Sequence, residues 1–267
     1  MKLAIALISL ALVGCGVAGE AGKPGERGKD GFNGADGGKT LQAQIRIVYE
    51  KYRQSVYRIA VQCDGAVHIF GSGFRIAEDT VATNKHVASY SCPGGKTKKF
   101  KIQAIGDNLD TLAEKSPTIN SGCLEDSSYC VIASQYTLSD NKDLGKIKVL
   151  KRLKGESVEI DENNESARQV GRAQLSMSFP LAFEDLYTLT GTVSANHLGE
   201  CDGGSGYGCP ALDYDFITAL DTDHGSSGSP IFDLQTTKVV GITTAGTEGA
   251  NMSTTWAIFA NRLNTFK

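Results

Sequence analysis

From residue 67 to residue 258 the apolar residues fall in short runs, and Gly, Asn, Asp or Pro breaks nearly every one. Runs this short leave no room for long amphipathic helices, while many short strands between turn residues suit an all-β barrel or sandwich. The candidate strands are 67–70, 73–77, 80–83, 100–105, 129–132, 146–149, 169–174, 188–195, 216–220, 239–244 and 254–258, preceded by an alternating run at 55–61. The polar run Asp161-Glu162-Asn163-Asn164-Glu165 has no apolar period and is expected as an exposed loop between two halves. The tail 258–266 reads as a closing helix. With 267 residues and 40% hydrophobic content, the chain is long enough for a barrel core. A net charge of −3 with scattered Lys and Arg gives no nucleic-acid footprint.

Inside this β region lies Gly225-Ser226-Ser227-Gly228-Ser229-Pro230, between the strand-like runs 216–220 and 231–233. A turn so free of bulk can present one serine hydroxyl to a cleft and aim successive backbone N–H groups at one point. Those are the needs of an acyl-transfer nucleophile and its oxyanion hole. Gly and Ser also dominate ordinary surface turns, so the rest of the chain has to decide. Of the four histidines, His86 closes the apolar run Thr80-Val81-Ala82-Thr83 and is the natural base for a nearby nucleophile, because imidazole titrates near working pH. A third group must orient that base. Asp143 stands at the mouth of the 146–149 strand, with Asp140 as a rival and an exposed turn aspartate as the plainer alternative. No Cys/His cluster with metal-ligand spacing is present, and neither a metal nor another cofactor is expected.

The N-terminus carries different signals. Met1-Lys2 and the apolar run 3–13 are too short to span a bilayer and read as a secretory signal over 1–14. The run ends Leu12-Val13-Gly14-Cys15, which resembles a bacterial lipobox with Cys15 as the lipidated residue; the alternative is a plain signal with an incidental cysteine. Residue 16 is Gly rather than Asp, which by resemblance to diderm lipoproteins gives no inner-membrane retention signal. Gly16, Gly19, Gly22, Gly25, Gly28, Gly31, Gly34 and Gly37 follow at strict triplet spacing, with Lys23-Pro24, Glu26-Arg27 and Lys29-Asp30 between them. This resembles a collagen-like stalk over 15–38, where only Gly fits at the axis of a triple helix and three chains must meet; a flexible Gly-rich tether is the alternative. Leu41, Ile45, Val48 and Tyr52 are spaced four, three and four apart on a short helix within a 39–54 linker. Twelve residues do not separate a coiled-coil seam from a helix packed on the following domain.

The chain order His86, Asp143, Ser227 is that of the chymotrypsin arrangement of this triad. Over about 45–267 the sequence resembles the trypsin-like serine peptidases, in their HtrA-type branch without a PDZ domain. The resemblance rests on Ile47-Val48-Tyr49-Glu50-Lys51 with Ser55-Val56-Tyr57-Arg58-Ile59, Gly71-Ser72-Gly73-Phe74, Ala82-Thr83-Asn84-Lys85-His86-Val87, and Asp143-Leu144 with Ile147-Lys148-Val149. It continues in Phe179-Pro180-Leu181, Thr190-Gly191-Thr192-Val193-Ser194, the 225–230 hexapeptide and Val239-Val240-Gly241-Ile242-Thr243. It implies two six-stranded antiparallel β-barrels over 55–267, flanked by a short N-terminal and a C-terminal helix, with protein or peptide substrates cleaved between the barrels. His86 and Asp143 would come from the first barrel and Ser227 from the second, with the N–H groups of Gly225 and Ser227 as oxyanion hole. Ser226 replaces the Asp of pancreatic-type enzymes, so a zymogen switch through a freed N-terminus is not expected. Lys146 stands where an apolar residue is usual.

The specificity pocket implied by the resemblance comprises Asp221, Thr222, Thr243, Thr244 and Gly246, with Thr244-Ala245-Gly246 as the wall that pairs with substrate backbone. Asp221 occupies the position that selects Arg and Lys in trypsin, yet distant relatives carry Asp there whatever they cleave. Thr243 stands where glutamyl endopeptidases place a His, which argues against Glu specificity. Beyond Cys15 six cysteines remain, and six allow fifteen pairings. Cys123–Cys130 and Cys201–Cys209 each close a short Gly/Ser loop, which leaves Cys63–Cys92 to bracket the His86 strand; free thiols do not suit an exported chain. The sequence therefore reads as an exported, lipid-anchored envelope protein with a serine endopeptidase domain, trimeric if its stalk is a triple helix. A non-catalytic binding or adhesion module on the same fold is the alternative.

Overall fold

The computed structural model describes residues 34–64, 66–95, 98–104, 130–132, 136–149, 153–182, 185–196, 214–246 and 255–266. The signal segment, Cys15, the triplet glycines up to Gly31, and Cys123, Cys201 and Cys209 lie outside them. Helix α1 (Gly34–Tyr52) opens the described chain. It starts before the expected linker boundary and takes in Gly34 and Gly37, the last two triplet glycines. Its 4-3-4 stripe faces the domain: Val48 and Tyr52 are fully buried, with Leu41, Ile45 and Tyr49 packed against the same core. Tyr52 stacks on Phe232 with ring centroids 5.1 Å apart, and Lys51 pairs with Glu159 at 3.1 Å. The stripe is thus a docking face on the domain. Among the described residues no helix is long and apolar enough to cross a membrane.

The first half contains β1 (Val56–Cys63), β2 (Ala66–Ala77), β3 (Thr80–Thr83), the one-turn helix α2 (Lys85–Ala88), β4 (Lys98–Ala104), β5 (Cys130–Ile132), β6 (Tyr136–Leu138) and β7 (Gly145–Lys148). All pairs are antiparallel, and the seven strands run in the order β5-β4-β1-β2-β3-β7-β6. The period of two is visible in the core, where Tyr57, Ile59 and Val61 of β1 meet Val81, Phe100, Ile102 and Ile147. The expected count for this half was six strands. The difference lies at the sheet edges, because β5 and β6 are consecutive in the chain and separated by only three residues. Four peptide steps span at most about 14 Å, so the two edges are drawn together and the sheet rolls. Phe100 of β4 meets the Tyr136 ring of β6 edge-on at 5.9 Å across that junction.

The second half contains β8 (Ala173–Ser178), β9 (Tyr187–Asn196), β10 (Phe216–Thr218), β11 (Pro230–Asp233), β12 (Val239–Gly246) and β13 (Thr255–Phe259). They close a six-stranded barrel in the order β10-β13-β12-β11-β8-β9, as expected of an all-β chain. Its interior holds Val193, Phe216, Leu220, Ile231, Val240, Ala257 and Phe259, with Phe216 and Phe259 stacked at 5.5 Å. A third cluster seals the halves together: Phe74, Ala82 and Leu144 meet Leu175, Met177, Phe232, Ile242 and Ile258, under the docked face of α1.

Several expectations shift. The candidates 67–70 and 73–77 are one strand, β2, because its central glycines stay in the ladder opposite β1. The strand expected at 169–174 begins at Ala173, after a 3₁₀ turn at Ser166–Arg168. The closing helix is shorter than expected: β13 runs through Phe259, and only Ala260–Thr265 follows, as a 3₁₀ helix. The polar run at 161–165 is not wholly exposed, since Asn164 is buried in the left-handed region at φ 56°.

One buried ion pair ties β8 to β11. Arg172 Nη2 donates to Asp233 Oδ1 at 3.1 Å and its Nε to Oδ2, while Asp233 also accepts the N–H of Gln235 at 3.0 Å and of Thr236 at 2.6 Å. Burial pushes the Asp233 carboxyl up, but these donors outweigh it and hold it below its usual value. Above pH about 4 an unfolded Asp is ionised too, so the bonds stabilise the fold fully. As pH falls from there through the lower native value, the unfolded chain binds more protons and that stabilisation is lost. Asp233→Ala should therefore cost about 3–5 kcal/mol at neutral pH by stranding Arg172. Urea unfolding of both chains at pH 7 and pH 3 checks it: the difference between them should shrink at the lower pH.

Candidate active site

Strand β3 ends in two buried polar residues that set the next turn. Thr83 Oγ1 donates to the Ser72 carbonyl at 2.7 Å, and Asn84 Nδ2 donates to the Asp143 carbonyl at 2.9 Å. Asn84 is extended (φ −78°, ψ 153°) and opens α2, whose single turn carries His86. Asp143 lies just before β7, which pairs with β3, so strand pairing alone brings Asp143 beside His86. The contact has two points: the His86 N–H donates to Asp143 Oδ1 at 2.9 Å, and His86 Nδ1 lies 2.7 Å from Oδ2. The Asp143 side chain is 6% exposed and the imidazole 40%. With Nδ1 engaged, Nε2 is the ring nitrogen left for other chemistry. The rival Asp140 lies in an exposed turn. Lys146 is accounted for at the C-terminus, where its Nζ donates to the Phe266 carbonyl at 2.6 Å and sits 4.5 Å from that ring's centroid.

A third donor reaches the same carboxylate from the other half: Thr244 Oγ1 donates to Asp143 Oδ2 at 2.6 Å. Burial pushes the Asp143 carboxyl up, while the His86 side chain, Thr244 and the His86 N–H together bring it below its ordinary value. Asp143 is accordingly a carboxylate at neutral pH.

The 225–230 turn is built for close approach. Gly225 and Gly228 adopt φ of 91° and 88°, a region that favours glycine. A Cβ at Gly228 would strike the Ser72 carbonyl and Thr83 Oγ1 and lie 3.1 Å from the Asn84 nitrogen. The turn therefore rests directly on the β2 and β3 segments that lead to His86. Ser72 clamps it from below: its N–H donates to the Ser227 carbonyl at 2.8 Å, its Oγ donates to the Gly225 carbonyl at 2.8 Å, and the Phe179 N–H donates to that Oγ at 3.0 Å. The N–H groups of Ser226, Gly228 and Ser229 are taken by the carbonyls of Asp223, Thr243 and Ser226. Among the described residues, those of Gly225 and Ser227 meet no backbone acceptor. Ser226, in place of the zymogen aspartate, is fully buried and donates to Ser178 Oγ at 3.1 Å. The Ser227 hydroxyl donates to the Thr244 carbonyl at 3.4 Å. Thr244 thus bridges the two parts of the site, its hydroxyl on Asp143 and its carbonyl on Ser227.

The expected pocket residues divide. Thr222 Oγ1 meets Thr255 Oγ1 at 2.6 Å, Thr255 pairs with Gly246, and Asp221 is exposed beside them. Thr243 is buried beneath the turn, where its carbonyl receives the Gly228 N–H at 2.8 Å. Thr244 belongs with Asp143. Cys63 and Cys92 form a disulfide with Cα atoms 5.5 Å apart, joining the end of β1 to the chain after α2. Ser72 and the bridging part of Thr244 were not read from the sequence. The glycines flanking Ser72 were the available signal, since a small-residue triplet inside a strand marks a close backbone approach.

Residues 71–242 match the model of the trypsin-like peptidase domain. The match covers most of the chain, which belongs to that family. The active form of the Rv3671c protease from M. tuberculosis superposes with a TM-score of 0.58 at 18% identity, over 82% of this chain and 81% of that one. Its inactive form gives 0.56 at 18%, over 84% and 92%, and Deg5 gives 0.56 at 16%, over 84% and 92%. No match to a curated protein sequence was found. At such identities the superpositions establish the shared fold: a chymotrypsin-like pairing of two β units.

Two of the left-handed glycines, Gly228 and Gly171, give a direct test of the close approach. Gly228→Ala should lose on the order of 2–4 kcal/mol, from backbone strain and from the clash with Ser72 and Thr83. Gly171 has a similar φ of 83° with nothing within 4 Å of its added Cβ, so Gly171→Ala should lose only about 1–2 kcal/mol. Denaturant unfolding of both variants checks the difference.

Proposed function

We propose that the chain is a serine endopeptidase that hydrolyses peptide bonds through an acyl-enzyme. Ser227 Oγ attacks the scissile carbonyl carbon while His86 Nε2 takes the hydroxyl proton. The N–H groups of Gly225 and Ser227 receive the oxyanion, where one lost donor typically costs about 3 kcal/mol of transition-state stabilisation. His86 returns the proton to the leaving amine as the C–N bond breaks, and water repeats the sequence on the ester to release the acid and restore Ser227. Asp143 stays ionised throughout, keeping the imidazole oriented and stabilising it when protonated.

The observation that carries this reading is the two-point contact between His86 and a buried, ionised Asp143, sealed by Thr244 beside the Ser227 turn. A buried carboxylate that orients an imidazole is the arrangement a general base needs, which supports the catalytic reading over the binding module. The Ser227 hydroxyl rests on the Thr244 carbonyl at 3.4 Å, a long bond that it exchanges for His86 Nε2 when substrate arrives. Ser227→Ala should keep the fold and lose turnover, down to a residue of roughly 10³–10⁴ over water. A fluorophosphonate should label the native chain at Ser227 and leave the variant unlabelled. Undiminished turnover in Ser227→Ala removes the assignment, and a native chain that neither labels nor cleaves peptides returns the fold to the binding-module reading.

The same proposal extends to the N-terminus. Cys15 carries the lipid, and the triplet glycines ahead of α1, Gly16 to Gly31, form a short collagen-like stalk that gathers three chains at the cell envelope. The support is the lipobox-like end of the apolar run and the unbroken triplet spacing. With α1 docked on the domain, trimerisation has to come from the stalk and from concentration at the membrane. A soluble chain beginning at Gly16 should sediment partly as a trimer, and one beginning at Gly34, which keeps α1, as a monomer. A chain beginning at Gly16 that stays monomeric at high concentration, without collagen-like circular dichroism, makes the stalk a tether. Cys15→Ser should abolish incorporation of a labelled fatty acid.

A further inference from the structure

Asp143 is held from the second half at a point besides its carboxylate. Its immediate neighbour Lys142 extends Nζ to Asp215 Oδ1 at 3.3 Å, and both side chains are nearly buried, at 12% and 7% exposure. Asp215 stands just before β10 and is firmly fixed. Its N–H donates to the Ala257 carbonyl at 2.9 Å, and its Oδ2 accepts the Phe259 N–H at 2.9 Å, so backbone and side chain are both tied to β13. Arg262, 43% exposed, approaches the same Oδ1 at 3.1 Å from the terminal 3₁₀ helix.

From these contacts we infer that Asp215 is a positioning residue for the reaction, acting through Lys142 to hold the backbone of Asp143 against the half that carries Ser227. The inference rests on the proposed peptidase function. A buried ion pair contributes little net stability over apolar residues of the same shape, so its value lies in fixing one geometry. The geometry at stake is that of Asp143. Within its own half, the 139–144 turn is closed by the Ser139 N–H on the Leu144 carbonyl at 3.0 Å and by Lys85 Nζ on the Ser139 carbonyl at 2.8 Å. Those bonds shape the loop without relating it to Ser227. Thr244 reaches across to the carboxylate, and Lys142–Asp215 reaches across to the adjoining backbone. Without the Asp215 charge, Lys142 loses the ion pair that reaches across to the second half, and the adjoining Asp143 backbone loses that tie to the half that carries Ser227. A displacement of about 1 Å at a catalytic group can cost 100-fold in rate.

The experiment compares four variants of the full chain. Asp215→Asn keeps the shape and an acceptor for the Phe259 N–H but removes the charge; Lys142→Met keeps the stem and removes the tether. Both should lower kcat about 10- to 100-fold and leave KM within about twofold, since neither residue lines the site. Arg262→Gln removes a cation from the same carboxylate without touching the Asp143 loop and should leave kcat within about twofold. Lys142→Arg retains the charge and should recover most of the activity lost in Lys142→Met. A second readout does not depend on turnover: the low-field proton resonance of His86 Nδ1–H bonded to Asp143 should shift or broaden in Asp215→Asn and Lys142→Met and stay in place in Arg262→Gln. If the native chain shows that resonance but no turnover, the peptidase reading fails and the resonance alone decides the positioning. Native kcat and resonance in a folded Asp215→Asn and Lys142→Met overturn the inference, as does an Arg262→Gln loss equal to that of Lys142→Met.

Discussion

The buried carboxylate of Asp143 sits where the two halves of the molecule meet, and most of the site follows from keeping it charged there. Burial alone would favour the neutral acid. Against that stand the His86 N–H, the His86 imidazole and the Thr244 hydroxyl, each within hydrogen-bond distance. Two of these donors come from α2 in the first half and one from β12 in the second. The chemistry that keeps Asp143 ionised therefore also registers one half against the other. An imidazole bound this way has one tautomer and one orientation, which a general base requires.

Backbone approach reinforces the same registration. Ser72, in the middle of β2, receives one N–H and provides two donors, all across the boundary between the halves. Gly228 lets the 225–230 turn settle onto the middle of β2 and the end of β3, where a methyl group would collide. Below these polar contacts lies the shared apolar cluster, roofed by Val48 and Tyr52 of α1. Polar bonds specify the geometry and apolar burial holds it, at roughly 25 cal/mol for each Å² removed from water. The seam between the halves is thus held by polar and apolar contacts together, and supporting contacts of this kind are what keep a site's side chains in one geometry.

What was legible in the sequence depended on range. His86, Asp143 and the Ser227 turn lie in short stretches whose local chemistry is recognisable, and the structure brings His86 and Asp143 together with Ser227 linked to them through Thr244. The strand pattern was legible for the same reason, because side-chain alternation is local. Ser72 and Thr244 were not, since their partners are 153 and 101 residues away and only the folded register brings them together. The break placed at 71–72 inside β2 followed its glycine, whereas pairing of Gly71, Ser72 and Gly73 with Ile59, Arg58 and Tyr57 of β1 keeps the strand extended. The three-residue strand β6 carries too little pattern to be seen, although Tyr136 closes the rolled sheet against Phe100.

Helix α1 shows how an apolar period fixes a face and leaves its partner open. The 4-3-4 spacing of Leu41, Ile45, Val48 and Tyr52 is common to a coiled-coil seam and to a docked amphipathic helix. The size of the partner surface decides between them. A seam of four residues against two sister helices buries little, whereas here Tyr52 stacks on Phe232 and Val48 disappears into a cluster contributed by both halves. Phe232 lies on β11, which follows the nucleophile turn directly, so the docked helix also braces the strand that carries Ser227 into the core. The chain from Gly34 onward therefore enters the β domain through a docked helix, fixed at the seam between its two halves.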